Sequence, residues 1–547
     1  MKQVICKDFT VSVGEDTFTV TRNGIDWVTL PVRCCVDRAG SADEDENILS
    51  FREEQRDGTW IFTWTTVSNN WREKQYVLKV TEQAFLFTIV LKGQGAIEKI
   101  RYFTDADKTR YEVAGYVMPH ANHTNKMGNT RLITENEQIR LWYAAPTMYV
   151  YPFYVEGEPG SLGLGLVAKP GQYNFDVFHY VSPMQFSLPL YHRTVVEGSY
   201  ETQGILGLFA DSEEQIFRDY TRWHFENGYA NPHQGEIPAW WKRPIYCGWG
   251  EQMVYKVKDN LDLQRDAATQ KNYTEMMAKL EKEHLNPGSI IIDSKWQTTF
   301  GGLELDTEKW PDMRKFVDEQ HAKGRKVILW IKSWDPEGLS YAECIKLLCN
   351  GVAADPTSPA YIGRVKDKFY KLLSSDEGCY DCDGFKVDFV NCIPQCGDSQ
   401  THTGICGVEL IKAWMKLVYD TAKAIKPDAL VNTSCAHPYF TENVDMPRIH
   451  DYMSQQRSAV SVMNWRKEIF SAANPGMPID MDSGGIGSKR DFHRYMRYQA
   501  ENGVPTLYWL NATGCTPLEC VPFDEEDFDV IRECWNSYEE KLSKGEK

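Results

Sequence analysis

The spacing of apolar positions changes once along this chain. Up to about residue 210 apolar residues alternate with polar ones, or gather in short β-branched runs between polar and glycine turns, as at Thr17–Thr21, Trp60–Thr65, Gln75–Val80 and Phe85–Leu91. That is the pattern of half-buried strands, and shorter runs at Met148–Tyr151 and Leu162–Val167 extend it. Many short strands with turns between them predict a β-sandwich. From Ser212 to Asn227 the period becomes helical, and Pro232, Pro238 and Pro244 punctuate the next stretch of chain. The expected division is an N-terminal β-sandwich over 1–210, a helical linker over 211–240, and a third region over 241–547.

In the third region apolar runs alternate with amphipathic ones. Strands are expected at Ile245–Trp249, Ser289–Asp293, Lys326–Ile331, Gly384–Phe389, Ala429–Ser434, Met446–Asp451, Met477–Asp482 and Val504–Leu510. Helical stretches between them include Trp310–Lys323, Ala360–Leu373, Val408–Ile425, Ala459–Ala472 and Asp491–Glu501. Eight such units match a (β/α)8 TIM barrel, an α/β fold, in number and size. An open doubly wound sheet is the alternative, but no Gly-rich phosphate turn comes after the first strand. Asp524–Lys544 reads as a closing helix, with no β-domain after the barrel.

A barrel of this kind carries its chemistry at the C-terminal ends of its strands. Those ends hold Trp249 and Glu251; Asp293 and Trp296; Lys332, Trp334 and Asp335; Lys386 and Asp388; Cys435 and His437; Arg448 and Asp451; Asp480 and Asp482. Lys386 and Asp388 are two residues apart, so both point to one face, where a charge is costly unless the strand opens into a site. The bland reading of that pair is a structural ion pair at a strand end. Acids, aromatics and a few cations together suit a polyhydroxylated ligand.

The net charge of −17 and pI near 5.3 disfavour nucleic acid and anionic membranes as partners. Neither an apolar leader nor an 18-residue apolar run is present, so the expected location is cytoplasmic. Fifteen scattered cysteines are expected as reduced thiols.

Several motifs, in order, resemble the clan of retaining α-glycosidases that contains glycoside hydrolase families 36 and 27, with family 31 more distant. Ile291-Ile292-Asp293-Ser294-Lys295-Trp296-Gln297 resembles its second-strand motif, and Trp310-Pro311-Asp312 followed by His321-Ala322-Lys323-Gly324-Arg325-Lys326-Val327-Ile328-Leu329-Trp330 its third-strand block. Lys386-Val387-Asp388 matches the K-x-D that carries the nucleophile. Ser434-Cys435-Ala436-His437-Pro438, Arg448-Ile449-His450-Asp451 and Pro478-Ile479-Asp480-Met481-Asp482 fall where the fifth-, sixth- and seventh-strand motifs fall.

The resemblance implies a retaining, exo-acting α-glycosidase without a cofactor, acting on an oligosaccharide or glycoside, with α-galactosides first among the sugars. It implies Asp388 as nucleophile and Asp451 as acid/base. Trp249, Asp293, Trp296, Lys332, Trp334, Lys386, Cys435, His437, Arg448 and Asp482 are the expected substrate contacts. A homo-oligomer is compatible with it. Retaining hydrolysis needs two carboxyl groups about 5–5.5 Å apart, and the ends of strands four and six can face each other at such a distance. Lys386 would favour the ionised form of Asp388, whereas Asp451 must sit where its pKa is raised.

Two departures bear on the sugar: Ser294 replaces the second Asp of a pair, and Ala436 replaces a Glu at the sugar 2-position. The second opens room for an N-acetylgalactosaminide, and an α-glucoside is the other alternative. Rival classes are a metal-dependent barrel lyase or isomerase, with Mg²⁺ on strand-end acids, and a non-catalytic carbohydrate-binding barrel. Cys379-x-x-Cys382 with Cys392, Cys396 and Cys406 has a zinc-like flavour, but the catalytic strand runs between the pairs, and a local disulfide or free thiols fit better. His321 and His493 fall on expected helices, in ordinary roles.

Overall fold

In the computed structural model of the chain all residues are described except 1, 46, 104–116, 120, 125–129, 134–139, 142–147, 156, 182–183, 347–351, 395–396, 398, 453–457, 487, 517–518 and 547. The N-terminal region is built from antiparallel sheets. A four-stranded sheet (Lys2–Ile5, Thr10–Val13, Thr17–Arg22, Ile25–Pro31) accompanies an eleven-stranded one, whose long strands Ala84–Tyr102 and Gln185–Glu201 pair with each other. Alternation does the placing: along Glu73–Val80 every second residue is buried, so Tyr76 and Leu78 enter the core while Gln75 and Lys79 stay partly open.

The expected linker helix forms over Glu213–Glu226, capped by the Ser212 side chain on the Gln215 amide. It is no loose connector. Ile216 and Tyr220 pack onto the strand Ser161–Val167, where Gly163 and Gly165 leave the space: a Cβ at either would lie 2.5 and 2.6 Å from those side chains.

Beyond it the barrel forms as the pattern implies. Seven parallel strands run in spatial order six, five, four, three, two, one, eight, as Met446–Pro447, Leu430–Thr433, Gly384–Val387, Lys326–Ile331, Ser289–Ile292, Ile245–Cys247 and Thr506–Leu507. The seventh strand shrinks to bridges at Asp480, which touches Arg448 on one side and Val504 on the other and closes the ring. Helices at Met313–Ala322, Pro359–Leu373, Gly407–Ile425, Ala459–Ala473 and Lys489–Asn502 lie where their spacing put them. Helices Trp249–Lys258 and Gln270–Lys282 and the hairpins Cys344–Ala354 and Ala512–Pro522 are additions to that reading. The closing helix spans Glu525–Ser543, with Asp524 as its cap.

The barrel interior is apolar low down, with Ile245, Ile291, Ile328, Leu430, Met446 and Val504 in one cluster. It turns polar toward the C-terminal ends. There Asp480 accepts from Asn432 at 2.7 Å and from Thr506 at 2.6 Å, which satisfies a buried carboxylate on neutral donors. Among the described residues no helix is long and apolar enough to cross a membrane.

Candidate active site

The fourth strand ends at Val387, one residue before the expected nucleophile. The Asp388 amide still bonds to the Ile331 carbonyl at 3.0 Å, and then Phe389 turns left-handed at φ +55°. His450, just before Asp451, has φ +84°, and Asp482 has φ +53°. Left-handed non-glycine residues cost about 1–3 kcal/mol each and gather where side chains must be aimed. Three of them flank or carry the acids at the ends of strands four, six and seven.

One guanidinium organises those acids. Arg448 is fully buried; its Nη2 lies 2.6 Å from Asp388, and its Nη1 lies 2.5 Å from Asp482 and 3.4 Å from Asp451. Asp388 also accepts from the Trp330 indole at 3.0 Å and the Phe389 amide at 2.9 Å. Burial would raise its carboxyl, but Arg448 and then Lys386, with these hydrogen bonds, hold it below the usual carboxylate range. At Asp451 the balance reverses. Burial and the neighbouring Asp482 push its carboxyl well above the usual range, against the pull of Arg448 and Lys386. The two side chains remain 15% and 22% exposed, so both reach the mouth.

Lys386 sits below, and its direct partner is not Asp388. Its ammonium pairs with Asp293 at 2.8 Å and reaches the Tyr508 hydroxyl at 3.2 Å and the Cys247 sulfur at 3.6 Å. The cation in contact with Asp388 is Arg448, and Lys386 acts on it only through space. Asp293 is correspondingly occupied, by Lys386, by the Cys247 thiol and by the Ser294 amide.

Around the rim, Lys332 lies 3.9 Å from the Phe300 ring and 5.8 Å from Trp334, and pairs with Asp335 at 2.7 Å. Trp334 donates to the Asp388 carbonyl at 3.4 Å, and the half-buried Trp249 packs on the apolar interior of the barrel. Lys332, Trp334, Asp388, Arg448 and Asp451 thus gather at the mouth, with Asp293, Lys386 and Asp482 beneath, while Trp249 lies against the apolar interior.

Three more expected contacts are not brought there. Trp296 is 0% exposed, its indole bonded to the Trp330 carbonyl behind the third strand. Cys435 is sealed in the core. His437 is also 0% exposed, accepting from the Tyr439 amide and packed among Tyr149, Tyr173, Tyr220 and His224 from the N-terminal region and linker helix. The alternation that aims strand ends inward stops applying once the chain leaves the strand, which is where all three lie. Ala436 is buried in the same seam.

Sequence reasoning passed over Trp330, Cys247, Tyr508 and Phe300. Trp330 and Cys247 stand two residues before Lys332 and Trp249, so strict alternation finds them; Tyr508 comes from the eighth strand, at whose end no site residue was expected, and Phe300 lies on a loop that carries no such signal.

The strand-end acids are engaged with Arg448 and Lys386, which leaves a divalent cation little to collect there. Among the described residues, side chains spaced to hold a metal gather instead at Asp318, His321 and Asp381, beside the N-terminal end of strand four, where His321 bonds Asp383 at 2.6 Å. Cys379 and Cys382 are free thiols, and Cys396 lies outside the described residues.

Comparison with known proteins agrees with the barrel fold. The model of the glycosyl hydrolases family 31 TIM-barrel domain matches residues 261–405. No curated protein matches the chain in sequence. Among solved structures the chain resembles the cycloalternan-forming enzyme of Listeria monocytogenes, at 12% identity and TM-score 0.51 over 97% of this chain and 59% of that one. It also resembles a family 36 α-galactosidase of Geobacillus stearothermophilus (10%, TM-score 0.51, 94% of this chain and 75% of that). A third is the family 31 dextranase of Flavobacterium johnsoniae (12%, TM-score 0.50, 99% and 68%). The chain therefore spans less than two thirds of the first of these. The fold they share is a TIM barrel behind an N-terminal β region, and the matched segment is similar to the barrel domain of family 31 glycosyl hydrolases, consistent with the clan to which the motifs pointed.

Proposed function

We propose that the protein is a retaining α-glycosidase that removes terminal α-linked sugars by double displacement. The carrying observation is the pair of carboxyls on one guanidinium whose pKa values are pushed apart: Asp388 below the usual carboxylate range, as suits a nucleophile, and Asp451 well above it, as suits a general acid. Asp388 attacks the anomeric carbon while Asp451 protonates the leaving oxygen. Water, deprotonated by Asp451, then hydrolyses the glycosyl ester with net retention. Arg448 keeps the two at one focus and offsets the negative charge left on Asp451 as it gives up its proton. Trp334 and Lys332 line the approach. α-Galactosides are the first sugar on this reading, with α-glucosides and α-N-acetylgalactosaminides as the comparison substrates.

The test is Asp388→Ala, which should cost roughly 10⁴-fold or more in kcat and regain activity with azide, yielding a glycosyl azide of inverted configuration. Asp451→Ala should lose little on activated aryl glycosides and much on natural ones. Near-normal turnover by Asp388→Ala, or a β-anomer as first product of the intact enzyme, would refute the scheme.

A further inference from the structure

The acid carboxyl has to be aimed as well as protonated, and the backbone that carries it is in a conformation that side chains avoid. His450 is left-handed at φ +84° immediately before Asp451. The flanking amides are fixed to the barrel, Ile449 to the Asp480 carbonyl and Tyr452 to the Ser483 carbonyl, each at 3.1 Å. The two carbonyls between them, of His450 and Asp451, both accept from Nη1 of Arg466, each at 3.0 Å. Arg466 comes from the helix Ala459–Ala473 and is 3% exposed. A buried cation on neutral carbonyls is an expensive way to fill a helix position. Its cost is reduced by the field of Asp482 nearby.

We propose that Arg466 is a positioning residue for the general acid: by gripping both carbonyls it holds the left-handed turn and keeps the Asp451 carboxyl on the leaving-group oxygen. This rests on Asp451 being the acid/base. Without the grip the 450–451 peptide relaxes and the proton is delivered from the wrong place, while Asp388, on another strand, is undisturbed. Only reactions that need the proton then suffer.

The experiment uses the full-length protein with Arg466→Gln and Arg466→Lys. Substrates are aryl glycosides of increasing leaving-group basicity, built on whichever of the three sugars is turned over fastest, with melting temperatures recorded alongside. Arg466→Gln should lose about 30-fold or more in kcat on the poorest leaving group and no more than about 3-fold on a dinitrophenyl glycoside. Arg466→Lys should fall between it and the parent. If Arg466→Gln does not fold, Arg466→Lys carries the test, and its loss must still grow with leaving-group basicity. A loss equal across the series, or none, overturns the assignment. If Asp451→Ala itself shows no such dependence, the acid/base reading fails; if it does and the Arg466 variants do not, this inference alone fails.

Discussion

Strands four and five are neighbours in the barrel, Lys386 pairing in register with Asn432, yet their ends meet different fates. Strand four delivers Asp388 to a charged mouth where a cation and two N–H donors keep it ionised. Strand five runs into Cys435, Ala436 and His437 beneath tyrosines of the N-terminal region, where burial drives the His437 pKa far down and the ring stays neutral. The barrel decides at which end chemistry sits, and the neighbouring domain decides which strand ends stay open. The carboxylates that share Arg448 accordingly come from the ends of strands four, six and seven, and none from strand five.

Ala436→Glu is the hardest blow to this contrast. If the seam is closed, a carboxylate there is buried without a partner and should destabilise the protein by about 4 kcal/mol or more, read by chemical denaturation. A variant of normal stability with altered sugar preference would return strand five to the mouth. Arg448→Met attacks the other side by leaving three acids with no shared cation. It should cost about 3–5 kcal/mol and move the acid limb of the pH–rate profile upward, because Asp388 loses the charge that held its pKa down.

The seam also has its own pH signature. Burial lowers the His224 pKa to about 4, so the folded state takes up its proton later than the unfolded chain does. The stability this neutral ring permits is intact above pH 6.5 and falls as pH drops toward 4, by about 3 kcal/mol at most. Melting temperatures across that window should fall less steeply for His224→Gln. The smallest effect is expected of Trp330→Phe, which deletes one hydrogen bond to the ionised Asp388. It should raise the acid limb by about one to two pH units, in line with roughly 1.5–3 kcal/mol for a bond to a charged group. An unmoved limb would mean that the indole only packs.

The order of elements was legible because the barrel repeats one unit: apolar run, amphipathic helix, apolar run. All eight strand positions come from it, as do Asp388, Asp451 and Arg448 at their ends. Partners were not legible. That Lys386 answers Asp293 rather than Asp388 depends on the layer in which each inward side chain comes to rest, across strands far apart in sequence. That Trp296 and His437 are buried depends on loops, where alternation lapses. The charge on Arg466 reads as a polar helix face, and nothing local shows that it turns inward. Gly163 and Gly165 look like interruptions of a strand until the linker helix is laid over them.

The seventh strand, reduced to isolated bridges at Asp480, is tied to its neighbours by scattered amide bonds and by the Asp480 side chain on Asn432 and Thr506 rather than by a continuous ladder. A ring breathes where its amide ladder is thinnest. Opening at this point carries away Asp482 and loosens the segment of Asp451, while Asp388 stays in the continuous part of the sheet. Warming should therefore extinguish turnover before it melts the fold, with amide exchange quickening first around residues 480–484 and the proposed pair coming apart into a still-anchored Asp388 and a drifting Asp451.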